Sequence, residues 1–175
     1  GDGNADVLYS SAHDDKIAWY KNIVSVGTFG HEQIITTATD FAQSVITADL
    51  DGDGDQDVLS ASRSDDKIAW YENIAGTGTF GPQQIISTAT DGATSVFAAD
   101  LDNDGDLDVL SASENDDKIA WYENTDGAGT FGPQLVITNL ANEAESVFAA
   151  DLDGDGDYDV LSASSEDGKT SWYEN

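Results

Sequence analysis

The chain has 175 residues, a mass of 18.5 kDa and a formal net charge of −29, from 35 Asp+Glu against 6 Lys+Arg. Charge of this sign is repelled by nucleic acid and anionic membrane surfaces, which argues against both as partners, and the absence of Cys excludes disulfides and thiolate metal sites. No apolar run approaches the roughly 20 residues of a spanning helix, which argues against direct membrane insertion, and the lack of an initiator Met or export signal reads as a mature product or an excerpt of a longer chain.

The elements follow a repeat. Trp-Tyr begins at Trp19, Trp70, Trp121 and Trp172, a constant spacing of 51 residues. The last Asp of an acidic loop keeps the same frame at Asp6, Asp57, Asp108 and Asp159, as does Thr-Phe-Gly at Phe29, Phe80 and Phe131. Aromatics placed this regularly argue against a disordered acidic tract. In chain order the frame gives a partial unit at 1–43, full units at 44–94 and 95–145, and a partial unit at 146–175. The first unit opens inside an acidic loop and lacks its strand a.

The unit from Ser95 shows the four expected strands. Strand a is Ser95–Ala99, an acidic loop runs from Asp100 to Asp108, strand b is Val109–Ser113, and a turn covers Glu114–Asp117. Strand c is Lys118–Tyr122, and strand d lies around Gln134–Thr138 after a Gly-bearing loop. The runs are short, β-branched or aromatic, and bounded by Gly, Asp, Asn and Ser. No sustained 3.6-residue period favours helix. The turn before strand c ends in Asp15, Asp66, Asp117 and then Gly168, so its second position is expected at positive φ. The last unit stops after strand c and lacks strand d. The fold class is therefore all-β: a β-propeller of four-stranded antiparallel blades, with incomplete first and last blades, as in an excerpt of a larger propeller. The repeated Trp and Phe are expected as packing between blades.

Three acidic loops are complete: Asp49, Asp51, Asp53, Asp55 and Asp57; Asp100, Asp102, Asp104, Asp106 and Asp108; Asp151, Asp153, Asp155, Asp157 and Asp159. They hold 15 of the 27 Asp, always at positions 1, 3, 5, 7 and 9, with Gly54, Gly105 or Gly156 at position 6. A fourth copy is truncated to Asp2, Gly3, Asn4, Ala5 and Asp6. Alternate carboxylates on a curled loop repel unless a cation lies among them. Oxygen-only ligands at irregular angles suit Ca2+ better than Mg2+. An EF-hand would need Glu at position 12, where Ser60, Ser111 and Ser162 stand, and flanking helices where strands are expected.

The run Ser-Val-x-x-Ala-Asp-Leu-Asp-x-Asp-Gly-Asp-x-Asp-Val-Leu-Ser-Ala-Ser resembles the FG-GAP and VCBS-type repeats of surface proteins, of which the integrin α-subunit propeller is a well-known relative. The resemblance covers the whole chain. It implies a β-propeller with a calcium ion in each a–b hairpin, held by side chains at positions 1, 3, 5 and 9 and by the position-7 carbonyl. In the first complete loop these are Asp49, Asp51, Asp53 and Asp57, with the carbonyl of Asp55. The family's Gly-Ala-Pro segment is Ser-Ala-Ser here, which brings the chain closer to VCBS-type repeats than to integrins. The truncated copy lacks positions 1 and 3. An ion enclosed within one hairpin points to a structural role.

Catalysis finds no support: His13 and His31 fall in different registers, and no Ser lies in a nucleophile elbow. Partner binding is sought where the copies differ. The b–c turns carry His13, Arg63 and Glu114, and the first d–a loop carries Phe41. Both loop sets are expected on one face, opposite the acidic loops. The chain thus reads as a calcium-binding module of a secreted or surface-attached protein, recognising protein or glycan in adhesion. The alternative is a structural spacer, or a self-assembling subunit of a surface filament or appendage. Extracellular placement follows from the resemblance and from the higher calcium outside cells.

Overall fold

The computed structural model describes residues 3–23 and 27–175. Among them the chain forms four antiparallel sheets, each built from neighbours in sequence. The first holds β1 (Val7–Ser11), β2 (Lys16–Asn22) and β3 (Phe29–Thr36). The second holds β4 (Ala42–Ala48), β5 (Asp57–Ser62), β6 (Lys67–Tyr71) and β7 (Gln84–Ser87). The third repeats it as β8 (Ala93–Ala99), β9 (Asp108–Ser113), β10 (Lys118–Tyr122) and β11 (Leu135–Thr138), and the last holds β12 (Ala144–Ala150), β13 (Asp159–Ser164) and β14 (Lys169–Tyr173). A short 3-10 turn at Ile74–Gly76 interrupts the loop after β6. Repetition and stacking of the sheets fit a β-propeller-like fold.

Two boundaries differ from the sequence reading. β8 starts at Ala93 rather than Ser95, because a bulge between Ala93 and Ser95 lets pairing with β9 continue to Ser113. β9 takes in Asp108, the last acidic-loop residue, which pairs with Ala99. The turn before each strand c has its second residue at φ 52° in Asp15, 55° in Asp66, 57° in Asp117 and 63° in Gly168, as the Gly at the fourth copy predicts.

The core lies between sheets. One cluster joins Leu50, Leu59, Ile68 and Trp70 to Val96, Val109 and Tyr122 of the next sheet. A second joins Leu101, Leu110 and Ile119 to Val147, Ala149 and Val160, and a third joins Ile17 to Val58 and Tyr71. Strands β5 and β9 are buried along their whole length, since a sheet lies against both of their faces. Their small Ser and Ala residues let the sheets approach. The buried Tyr71 and Tyr122 hydroxyls accept hydrogen bonds from Gln83 and Gln134 at 2.8 and 3.0 Å, so neither polar tip is stranded.

Identical residues are buried to different extents according to their neighbours. Trp70 is 3% exposed and Trp172 50% exposed. The Trp70 ring is roofed by Gly129 of the next repeat, as Trp19 is by Gly78. A Cβ at Gly129 would collide with the indole, and its φ is 80°. Gly129→Ala is expected to lower stability by about 2 kcal/mol or more, through strain and overpacking. Gly168→Asp recreates the turn of the other copies and is expected to change stability by less than about 0.5 kcal/mol. Urea melts of both variants against the parent chain check the contrast.

Candidate metal centre

Each acidic loop connects strand a to strand b, so the pairing of β4 with β5, β8 with β9, and β12 with β13 fixes both its ends. Inside the loops, side-chain oxygens of alternate Asp cap the backbone two residues on. Asp51 Oδ1 accepts from the Asp53 N–H at 3.2 Å and Asp53 Oδ1 from the Asp55 N–H at 2.8 Å. The same ladder recurs from Asp102 to Asp106 and from Asp153 to Asp157. These successive Asx turns curl the loop and gather its carboxylates.

Three clusters result, at Asp49, Asp51 and Asp53; at Asp100, Asp102 and Asp108; and at Asp151, Asp153 and Asp159. Within each, one carboxylate oxygen per residue lies within 4.8 Å of the others. Positions 1 and 3 converge in every loop, joined by position 5 in the first and position 9 in the other two. Asp49 Oδ1 and Asp100 Oδ1 are buried and accept no hydrogen bond. A buried carboxylate oxygen without a donor is costly unless a cation meets it. That orphaned oxygen, in an all-oxygen cluster, fits a hard divalent ion. Asp51 is pushed up from its ordinary pKa by burial, with the charges of Asp53 and Asp49 adding to the effect.

The other expected site residues fall into distinct places. Asp104 and Asp155 stand in the loops and cap the N–H groups of Asp106 and Asp157. At position 7, Asp55 and Asp106 turn their carboxylates against Gly76 and Gly127, while Asp157 accepts from Asn103 Nδ2 at 2.7 Å. Position-7 side chains thus lie outside all three clusters. Asp6 stands outside them too, although it accepts the Asn22 N–H at 2.8 Å. Asn4, on the same truncated loop, is half-buried. Asp2 lies outside the described residues.

Position 9 has a second duty that the sequence pattern hides. Asp57 is 1% exposed, and its two oxygens accept the N–H groups of Leu50 and Asn73, both at 2.9 Å. Asp108 repeats this with Leu101 and Asn124, and Asp159 with Leu152 and Asn175. Burial pushes Asp57 and Asp108 up to about 6, against the pull of those N–H groups. At Asp159 burial also pushes upward, but the N–H groups of Asn175 and Leu152 and the Trp172 indole outweigh it, and its pKa falls. The Asn of Trp-Tyr-Glu-Asn was missed by sequence reasoning; its recurrence at the 51-residue spacing was the available signal.

At the opposite ends of the strands, the variable residues meet one another. His13 and Phe41 have ring centroids 5.9 Å apart. Arg63 Nη2 lies 2.6 Å from Glu114 Oε2, bridging the b–c turns of consecutive repeats. Phe41, Gly92 and Glu143 share one register at positive φ. Each donates its N–H to the turn Asp of the preceding sheet, at 2.9–3.0 Å. Each also accepts, on its carbonyl, an N–H from the b–c turn of the sheet that it leads into. The d–a loop is thereby clamped between two turns.

Three tandem stretches, residues 1–60, 49–111 and 100–162, match the FG-GAP-like repeat, and the chain belongs to that family. No curated protein matches it. Among solved structures the chain is similar to an Agrocybe aegerita lectin described as recognising non-reducing terminal N-acetylglucosamine, with a TM-score of 0.62 and 19% identity over 93% of this chain and 44% of that one. It is also similar to the V. cholerae biofilm matrix protein Bap1, with a TM-score of 0.54 and 21% identity over 93% of this chain and 22% of that one. The chain thus spans less than half the length of either, and at these identities the likeness concerns the fold.

Two of the position-9 carboxyls, Asp57 and Asp108, favour the metal-free fold at mildly acidic pH. A carboxyl raised from 3.8 to about 6 in the folded state contributes stability that is complete below 3.8 and lost as pH rises through 6. Metal-free protein is therefore expected to melt at a higher temperature at about pH 5 than at about pH 7.5. Asp57→Asn should flatten that slope, which melting curves across the range would show.

Proposed function

We propose that this member of the FG-GAP-like repeat family is part of a calcium-stiffened, VCBS-type β-propeller in a secreted or surface-attached protein, with a recognition or adhesion role and no catalysis. The observation that carries the calcium reading is the orphaned, buried oxygen of Asp49, repeated at Asp100, inside a cluster of carboxylates. Asp49, Asp51, Asp53 and Asp57 would hold one ion, and the equivalent residues of the next two loops would hold two more. The ion supplies positive charge that cancels the carboxylate repulsion and ties strand a to strand b. Extracellular calcium is high enough to fill sites of modest affinity.

The recognition role is supported by the family and by the kind of neighbours that share the fold, one a lectin and one a biofilm matrix protein. Protein and glycan are both suitable partners for the variable face that carries His13, Phe41, Arg63 and Glu114. A second reading, a spacer or self-assembling subunit with no ligand of its own, is favoured by the internal pairing there. Arg63 is engaged by Glu114, and His13 lies against Phe41.

Two outcomes are expected. Removing calcium with excess chelator should lower the melting temperature by about 10 °C or more, since ions bound only to the folded state stabilise it. An unchanged melt, with metal content verified, would contradict the calcium reading. A screen of the calcium-loaded protein against glycans, N-acetylglucosamine-terminated ones included, and against surface proteins should give a hit. That hit should be lost on Arg63→Ala with Phe41→Ala. A folded, loaded sample without any hit would favour the spacer.

A further inference from the structure

The acidic loops are joined in series by hydrogen bonds. The Leu50 peptide lies between Asp49 and Asp51 of the first complete loop, donates its N–H to Asp57, and gives its carbonyl to Asn124 Nδ2 at 2.9 Å, 74 residues away. Asn124 donates its own N–H to Asp108 of the second loop at 2.8 Å. The pattern then repeats: Leu101 donates to Asp108, its carbonyl accepts from Asn175 Nδ2 at 2.6 Å, and the Asn175 N–H reaches Asp159 of the third loop at 3.0 Å. One run therefore passes from Asp57 through Leu50, Asn124, Asp108, Leu101 and Asn175 to Asp159. Leu50 is fully buried and Asn124 is 1% exposed, so water has little access to replace the bonds at the first junction.

We propose that Asn124 and Asn175 are positioning residues that couple the cation sites of neighbouring repeats, so that filling one acidic loop tightens binding in the next. The inference rests on the calcium reading above and adds regulation to it. An ion held by Asp49 and Asp51 fixes the peptide between them. The fixed Leu50 carbonyl holds the Asn124 amide, and the Asn124 backbone holds Asp108. The second ion then meets a loop whose ordering cost is already reduced, which gives positive coupling. By linkage the effect is reciprocal. The side chains of all three Asn donate within their own loops, Asn73 to Gln56 at 3.0 Å, Asn124 to Leu107 at 3.4 Å and Asn175 to Tyr158 at 3.3 Å, so the bond to the preceding loop is what Asn124 and Asn175 add.

The test is calorimetric titration of the 175-residue chain with Ca2+, its third loop disabled by Asp153→Asn and Asp155→Asn. Disabling the first loop as well, by Asp51→Asn and Asp53→Asn, should weaken binding at the second loop by about fivefold or more. With Asn124→Ala, which keeps the N–H bond to Asp108 and removes the side-chain bonds to Leu50 and, at 3.4 Å, to Leu107, the same disabling should change second-loop affinity by less than about twofold. Asn73→Ala should leave the fivefold effect in place, which a general loss of stability would not do. Asn175→Ala should likewise uncouple the second and third loops when both are intact. An equal effect with and without Asn124, or binding at both loops with no coupling, would overturn the proposal while leaving the calcium reading intact. No binding in any variant would overturn both.

Discussion

Crowding of carboxylates on a nine-residue loop is the constraint from which the rest of the structure follows. Three such loops hold 15 of the 35 Asp+Glu, about half of the net charge of −29. Mutual repulsion opposes the curled conformation, and the Asx-turn ladder offsets only part of it by giving some oxygens a backbone N–H. Asp49 and Asp100, members of the first two clusters, each keep a buried oxygen without a donor. A divalent ion there would offset the repulsion and meet the missing donors at once. Position 9 links this local electrostatics to the sheet, because Asp57, Asp108 and Asp159 are both loop residues and the first residues of strands β5, β9 and β13.

Order then spreads between sheets by means that a repeat can supply only to its neighbours. The buried Leu at loop position 2 packs against the next sheet, and its carbonyl is taken by that sheet's Asn. Glycine of one repeat roofs the tryptophan of the one before. On the opposite end, the d–a loop is held between consecutive turns. Such contacts make stability a property of adjacent units, as expected of repeat architectures. The strand-c lysines pair with turn carboxylates at 2.7–2.8 Å in the last three repeats, but these pairs are at the surface and add little.

Much of this was legible in the residues. The 51-residue spacing placed all four strands of the unit from Ser95 to within about two residues, and Gly168 revealed the positive φ of a turn that Asp fills elsewhere. The convergence of positions 1 and 3 followed from alternation on a curled loop. What stayed hidden depends on contacts across repeats. Nothing in Trp-Tyr-Glu-Asn tells that its Asn reaches a carbonyl 74 residues away. Nor does a repeat pattern say that Trp70 is enclosed while Trp172 is half exposed, since the difference lies in the neighbouring sheet and not in the residue. Arg63 and Glu114 were singled out as variable, and variation alone does not disclose that they pair with each other. The bulge at Ala93 was invisible for a related reason: it follows from pairing partners, not from strand propensity.

The central claim is that each complete acidic loop holds one calcium ion in the folded protein. Equilibrium dialysis at about 1 mM free calcium, followed by elemental analysis, tests it most directly. The account predicts three ions per chain, one for each of the clusters at Asp49, Asp100 and Asp151. A folded protein that retains no calcium under those conditions would contradict it.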